Sequence, residues 1–148
     1  MEQQIITRWI NASPEKVWDT LWDDKSYRKW AAPFFEGSYA VSDFKKGSKV
    51  LFLSPGENGM VSKVDDVKTN EYMVFKHLGE VKEGVEDYDS ETAKQWSGAR
   101  EAYFLQKKDN GTELRVELDM DVSSEVTSYL LSVWPKALDE LQKLAEAK

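Results

Sequence analysis

The sequence predicts an α+β protein in which one curved antiparallel sheet of about seven strands wraps around a long C-terminal helix. Three features lead to this fold class: a helix start signal directly after the first strand-like segment, a run of six further strand-like segments, and an amphipathic segment at the far end. Grouped strands are typical of antiparallel sheets, whereas parallel sheets alternate strands with helices. A sheet curved around a helix leaves room for a ligand, although the sequence does not identify that ligand.

The first elements are the best marked by local signals. β-Branched and aromatic residues between positions 4 and 11 predict a strand. Ser13 is a good N-cap, and Pro14 stands at the first helical position, where its missing N–H costs nothing. Apolar residues then recur at helical spacing, and a second short helix is expected to end near Trp30.

The remaining strands are separated by turn-forming residues. They are predicted at residues 35–43, 48–54, 60–67, 72–78, about 97–107 and about 112–122. The last two form a hairpin, because Asn110-Gly111 is a strong turn signal and the residues after it alternate between apolar and charged. A two-residue loop there pairs Lys107 with Leu114, Leu105 with Val116, Tyr103 with Leu118 and Glu101 with Met120.

This hairpin has a consequence for Glu101. A loop with an even number of residues turns Glu101, Tyr103 and Leu105 toward the interior, whereas an odd loop reverses the faces. A carboxylate among apolar side chains needs a partner, and ligand pockets are places where such groups are tolerated. The alternative is that Glu101 lies near the strand end and reaches water.

The terminal helix is predicted at about 124–146, with an apolar stripe at steps of three and four residues and Ser123 or Ser124 as its cap. Pro135 interrupts the pattern because it removes a backbone hydrogen bond within the helix. Either a short helical turn precedes a main helix beginning at Trp134, or one continuous helix bends at Pro135. Both arrangements pack the stripe on the concave side of the sheet.

Composition narrows the classes of function. The 148 residues are expected to form one domain, residues 1–148, and the net charge of −7 argues against nucleic-acid binding. There is no cysteine, no secretory pattern at the N-terminus and no apolar run long enough to span a membrane, so a cytoplasmic protein is expected. Aromatic residues make up 12% of the chain and either fill the core or line an apolar pocket.

Motifs for catalysis or for metal binding are missing from the sequence. His77 is the only histidine, and it has no cysteine or second histidine with which to bind a metal. A lone general base would need an oriented partner. We therefore expect no metal and no cofactor, assign no catalytic residue, and do not expect an enzyme.

Several of these segments together resemble a known family. The run from Ile10 to Trp18, the stretch Gly47-Ser-Lys-Val, the turn Asn110-Gly-Thr and the closing pattern Trp134-Pro-x-x-Leu-x-x-Leu141 are similar to homologues of the heat-shock protein 90 ATPase activator. That family is part of the START-like, or SRPBCC, superfamily, whose helix-grip fold also occurs in pollen-allergen proteins. The resemblance implies a seven-stranded antiparallel sheet around the C-terminal helix, with an apolar cavity between them. It supplies no shared catalytic residues.

The acidic segment 80–96 is longer than expected for the family, and is either a lid over the cavity or a solvated loop.

The leading hypothesis for function is binding of a small, mostly apolar molecule that is lipid-, polyketide- or aromatic-like. Such pockets are mainly apolar, with a few polar groups that fix the ligand's orientation. The candidate ligand-binding residues are Trp30, Phe34, Phe52, Phe75, Tyr103, Met120 and Trp134, with His77 and Glu101 as polar anchors.

Two other hypotheses remain open. The resemblance suggests a protein–protein module that modulates a chaperone, with the acidic segment 80–96 as its contact surface. A cyclase- or aromatase-type enzyme would require Glu101, Tyr103 and His77 to converge within hydrogen-bonding reach. The chain is expected to be a monomer or a homodimer.

Overall fold

The computed structural model describes residues 2–120 and 125–147, which form one antiparallel sheet and four helices. The elements in chain order are β1 (Glu2–Ile10), α1 (Pro14–Trp22), α2 (Asp24–Trp30), β2 (Tyr39–Val41), β3 (Lys49–Ser54), β4 (Asn58–Lys68), β5 (Tyr72–Lys82), β6 (Val85–Asp87), α3 (Glu91–Trp96), β7 (Arg100–Lys108), β8 (Gly111–Met120) and α4 (Glu125–Glu146). The strand order is β1-β8-β7-β5-β4-β3-β2, and β6 pairs with β5 outside this path. The predicted α+β helix-grip fold is confirmed, with eight strands in place of seven.

The core lies between the sheet and the helices. A single cluster of buried side chains joins Val17 and Leu21 of α1, Phe75 and Tyr103 of the sheet, and the stripe of α4. The buried residues of that stripe within the core are Trp134, Ala137, Leu138, Leu141 and Ala145. Burying each large apolar side chain contributes on the order of 1.5–3 kcal/mol, so this contact holds α4 against the sheet.

The start of α1 follows the predicted signals. The Ser13 hydroxyl accepts a hydrogen bond from the Lys16 N–H at 3.2 Å, and Pro14 is the first helical residue. At the end of α2, the indole N–H of Trp30 donates to the Leu21 carbonyl at 3.1 Å. This bond ties the two short helices together and fixes the Trp30 ring over the sheet.

Helix α4 is continuous through Pro135, which is the second of the two predicted arrangements. The Pro135 carbonyl accepts a hydrogen bond from Arg8 on β1 at 3.4 Å. Arg8 also forms an ion pair with Asp139 at 2.7 Å, so β1 is joined to the helix beside the proline. The predicted caps Ser123 and Ser124 lie outside the described residues.

The β7–β8 hairpin corrects the predicted pairing. Lys108 pairs with Gly111, so the two-residue loop is Asp109-Asn110, and both residues have positive φ values. The strand partners shift by two positions, and Tyr103 pairs with Val116. Gly111 is the first residue of β8. A glycine is needed there because a Cβ would lie 2.5 Å from the Ile10 carbonyl oxygen. The even loop preserves the predicted faces.

Two other segments differ from the prediction. The strand expected at 35–43 is limited to β2, and Phe35 stands before it with 63% of its surface exposed. Segment 80–96 contains the end of β5, a turn at Glu83-Gly84, β6 and α3. It is therefore not a plain solvated loop, because local hydrogen bonds and a helix cap order it.

Candidate ligand cavity

A cavity of about 660 Å³ lies between the inner face of the sheet, α2 and α4. Strands β3, β4, β5, β7 and β8 form its floor, and α2, α3 and α4 contribute the remaining walls. Phe35 lines the cavity and is largely exposed, so the cavity reaches the surface at the connection between α2 and β2. Its volume is in the range typical of small-molecule sites.

The helical wall of the cavity is aromatic. The rings of Phe34 and Trp134 meet edge to face at 5.0 Å, and those of Tyr27 and Trp30 meet in the same way at 5.1 Å. The Trp30 and Trp134 rings lie 6.4 Å apart. Edge-to-face packing fixes ring orientation, so this wall is largely preformed.

The structure brings together eight of the nine residues predicted from the sequence. Those that line the cavity are Trp30, Phe34, Phe52, His77, Glu101, Tyr103, Met120 and Trp134. Phe75 lies behind them and is fully buried, with its ring 5.1 Å from that of Phe52 and 5.3 Å from that of Trp22. It supports the floor of the cavity without reaching it.

The sequence analysis missed other lining residues, including Tyr27, Met60, Trp96, Leu118 and Leu130. Leu130 is part of the predicted helical stripe and could have been included. Trp96 could not have been placed without α3, although Ser90 followed by Glu91 is a helix start signal. Tyr27 lies three residues before Trp30 on the predicted second short helix and could also have been included.

Three polar side chains that line the cavity, those of Glu101, His77 and Tyr103, form one cluster. Tyr103 donates a hydrogen bond from its hydroxyl to Glu101 Oε2 at 2.5 Å. His77 Nε2 lies 3.4 Å from Glu101 Oε1, and His77 Nδ1 shares a 2.7 Å hydrogen bond with the Ser62 hydroxyl. Ser62 is fully buried behind the ring, so it orients His77 and does not face the cavity.

A β-bulge places this polar cluster. The register between β4 and β5 shifts after Val61, and Ser62 then pairs directly with His77. The His77 N–H donates to the Ala99 carbonyl at 2.8 Å, and the Gly98 N–H donates to the His77 carbonyl at 2.8 Å. Bulges often re-aim side chains beside functional sites, and here the imidazole is held against Glu101 of β7.

The electrostatics of the cluster keep both neighbouring phenols neutral. Burial raises the pKa of Tyr103 well above its usual value, and the charge and the hydrogen bond of Glu101 raise it further. Burial raises the pKa of Tyr27 as well, and the charge of Glu101 adds to this effect. Both hydroxyls therefore remain donors at neutral pH.

The arrangement is suited to binding an apolar body with one polar group. The carboxyl, imidazole and phenol lie within a few ångströms of one another, as an acid–base enzyme would also require. The described residues contain no group of three or more side chains able to hold a metal ion.

Fold and cavity together define the class of protein: an antiparallel sheet that holds a C-terminal helix over an aromatic-lined cavity, as in helix-grip proteins. The chain belongs to the family described as activator of Hsp90 ATPase homolog 1-like proteins, whose model matches residues 11–146. This match confirms the resemblance seen in the sequence.

Solved structures show the same fold. The Aha1 dimer from Colwellia psychrerythraea is 20% identical, with 99% of this chain and 97% of that chain covered and a TM-score of 0.76. A crystal structure of a Chromobacterium violaceum protein is 16% identical, with full coverage of both chains and a TM-score of 0.70. DynU16, described as a putative protein in the dynemicin biosynthetic locus, is 14% identical over 99% of this chain and 48% of that chain, with a TM-score of 0.70. At these identities the likeness concerns the fold alone.

A comparison with curated proteins found no significant match. Among the described residues, none of the helices combines the length and the apolar character needed to cross a membrane.

Proposed function

We propose that this protein binds a small, mostly apolar molecule in the cavity between the sheet and α4. The observation that carries the proposal is the preformed cavity of about 660 Å³, which is walled by aromatic rings and also lined by the polar cluster of Glu101, His77 and Tyr103. Ligand sites commonly combine an apolar wall with a few placed polar groups. The nine residues predicted from the sequence are proposed to hold the ligand, eight by direct contact and Phe75 by supporting Phe52.

The physical basis of the proposal is the rigidity of the cavity wall. Tyr103 and Trp134 line it yet keep only 1% and 5% of their surfaces exposed, because most of each ring is already packed against protein. A ligand therefore adds contacts to side chains whose positions are fixed. Little conformational entropy is lost on binding to such a preorganised wall.

The test is a thermal-shift screen of aromatic compounds and lipids, combined with a native mass spectrum of gently purified protein. A ligand that occupies the cavity should raise the melting temperature, and the increase should grow with the logarithm of ligand concentration above the Kd. Met60→Trp places a large ring inside the cavity and should abolish the shift, because Met60 is a lining residue. Lys63→Trp is the matched control on the same strand, since Lys63 does not line the cavity. Equal shifts in both variants would contradict binding at this site.

A second candidate function is regulation of a chaperone, which the description of the family favours. The acidic segment 80–96 was the expected contact surface. In the structure, the hydrogen bond from Lys49 holds the pKa of Glu86 below its usual value, and the N–H groups of Asp89 and Ser90 do the same for Asp87. These two carboxylates stabilise the segment itself. Co-purification with a chaperone at low salt tests this function, and its absence would count against it.

A further inference from the structure

The acceptor capacity of Glu101 is only partly used. Its Oε2 accepts the Tyr103 hydroxyl, whereas the nearest described group to Oε1 is His77 Nε2 at 3.4 Å, which is long for a hydrogen bond. The Glu101 side chain keeps 20% of its surface exposed, and the residue lines the cavity. This carboxylate therefore borders the space that a ligand would occupy, and among the described residues no short hydrogen bond is donated to its Oε1.

Aromatic rings lie beside both neighbours of this carboxylate, His77 and Tyr103. The Phe52 ring lies 6.4 Å from the His77 ring, and the Trp134 ring lies 6.2 Å from that of Tyr103. Aromatic faces carry negative electrostatic potential and attract cations, most strongly where water is excluded. The carboxylate and the rings thus both favour a ligand group that carries a positive charge.

The other charged lining residues do not offset Glu101. Arg100 and Asp119 also line the cavity, but they carry one positive and one negative charge, so together they add no net charge to it. The Asp119 carboxylate accepts a hydrogen bond from the Arg100 backbone N–H at 3.0 Å. The charge of Glu101 also extends across the cavity, since it contributes to the raised pKa of Tyr27 on α2.

We propose that the cavity selects ligands that carry a protonated amine on an apolar, ring-containing body, with the ammonium group seated between Glu101 Oε1 and the surrounding rings. This inference rests on the proposed function and adds the chemical class of the ligand. The net charge of −7 supports it, because a negative protein raises the local concentration of cationic molecules. A fatty acid would place its carboxylate against Glu101 and is rejected.

The test uses three probes with one apolar body: naphthylethylamine, naphthylethanol and naphthylacetic acid, each titrated by calorimetry at neutral pH. The amine should bind about tenfold more tightly than the alcohol, given the usual worth of a charge-assisted hydrogen bond and a cation–π contact. The acid should bind most weakly. In the Glu101→Gln variant, the affinity for the amine should fall to the value that the parent protein shows for the alcohol.

Two controls separate the possible failures. A far-UV circular dichroism spectrum that matches the parent protein shows that Glu101→Gln is folded, and Glu80→Gln removes a carboxylate that accepts from Ser90 without lining the cavity. Equal binding of the three probes, or an amine affinity unaffected by Glu101→Gln, would overturn the amine preference and leave the apolar cavity standing. Failure of all three probes to bind would overturn both proposals.

Discussion

The side chain of Glu101 determines how the cavity differs from an ordinary apolar core. Its carboxylate accepts from Tyr103 at 2.5 Å and lies beside His77, so the charge has partners while keeping access to the cavity. An unpaired buried carboxylate would strongly destabilise the fold. Three residues from two strands thus make the charge tolerable at a place where a ligand can reach it.

The two phenols next to Glu101 predict a fall of stability in alkaline solution. Free tyrosine loses its proton near pH 10, whereas burial and the charge of Glu101 raise the pKa of Tyr27 and Tyr103 in the folded protein. Above about pH 10 the unfolded chain binds fewer protons than the native one, so the free energy of unfolding decreases as the pH rises. Below about pH 10 this contribution is fully present.

Urea unfolding between about pH 9 and pH 11 measures this effect. Tyr27→Phe and Tyr103→Phe should each flatten the decrease, and Tyr103→Phe should also cost about 1 kcal/mol at neutral pH through the lost hydrogen bond. Tyr129→Phe, at a position with 52% of its surface exposed, is the control and should follow the parent protein. Identical slopes in the parent and both buried-site variants would refute the assignment.

At the scale of elements, α3 completes the cavity wall by placing Trp96. Ser90 caps this six-residue helix: its hydroxyl accepts from the Ala93 N–H at 3.0 Å and donates to Glu80 at 2.8 Å. Because so short a helix has little stability of its own, its order depends on this cap and on the buried Ala93.

Ser90→Ala should therefore increase local unfolding of α3 without unfolding the sheet. The loss of an N-cap costs about 1 kcal/mol, which is enough to raise amide exchange several-fold in a marginal helix. Hydrogen exchange followed by mass spectrometry should show faster exchange in residues 91–97 and unchanged protection in β7. Thr92→Ala, at an exposed position of the same helix, should leave exchange close to that of the parent. Faster exchange throughout the sheet would contradict a local role.

The helices and turns also show which signals in the sequence are sufficient to predict an element. Ser13-Pro14 and the apolar stripe of α4 predict their helices because capping and amphipathic periodicity are local properties. The turn at Asp109-Asn110 was misplaced because the glycine serves a tertiary contact, the approach of β1, which the sequence does not display. The cluster of Ser62 with His77 was missed for a related reason, since it depends on a bulge between two strands.

For the molecule as a whole, strand parity in the hairpin was enough to place Glu101 and Tyr103 on the inside, and the apolar stripe of α4 was enough to place Trp134 there. They were not enough to predict whether that interior is filled, because cavity volume depends on how far apart the sheet and the helices stand. Phe75 illustrates the difference: it faces inward as predicted but is covered by Phe52. The open space is a property of the assembled fold.

The six tryptophans allow the most direct test of the central claim that the cavity binds an apolar ligand. Trp30, Trp96 and Trp134 line it, whereas Trp9, Trp18 and Trp22 do not. Titration of ¹⁵N-labelled protein with naphthylethanol should shift the indole N–H signals of the first three and saturate, while the other three stay in place. Signals that do not saturate, or shifts confined to Trp9, Trp18 and Trp22, would contradict the account.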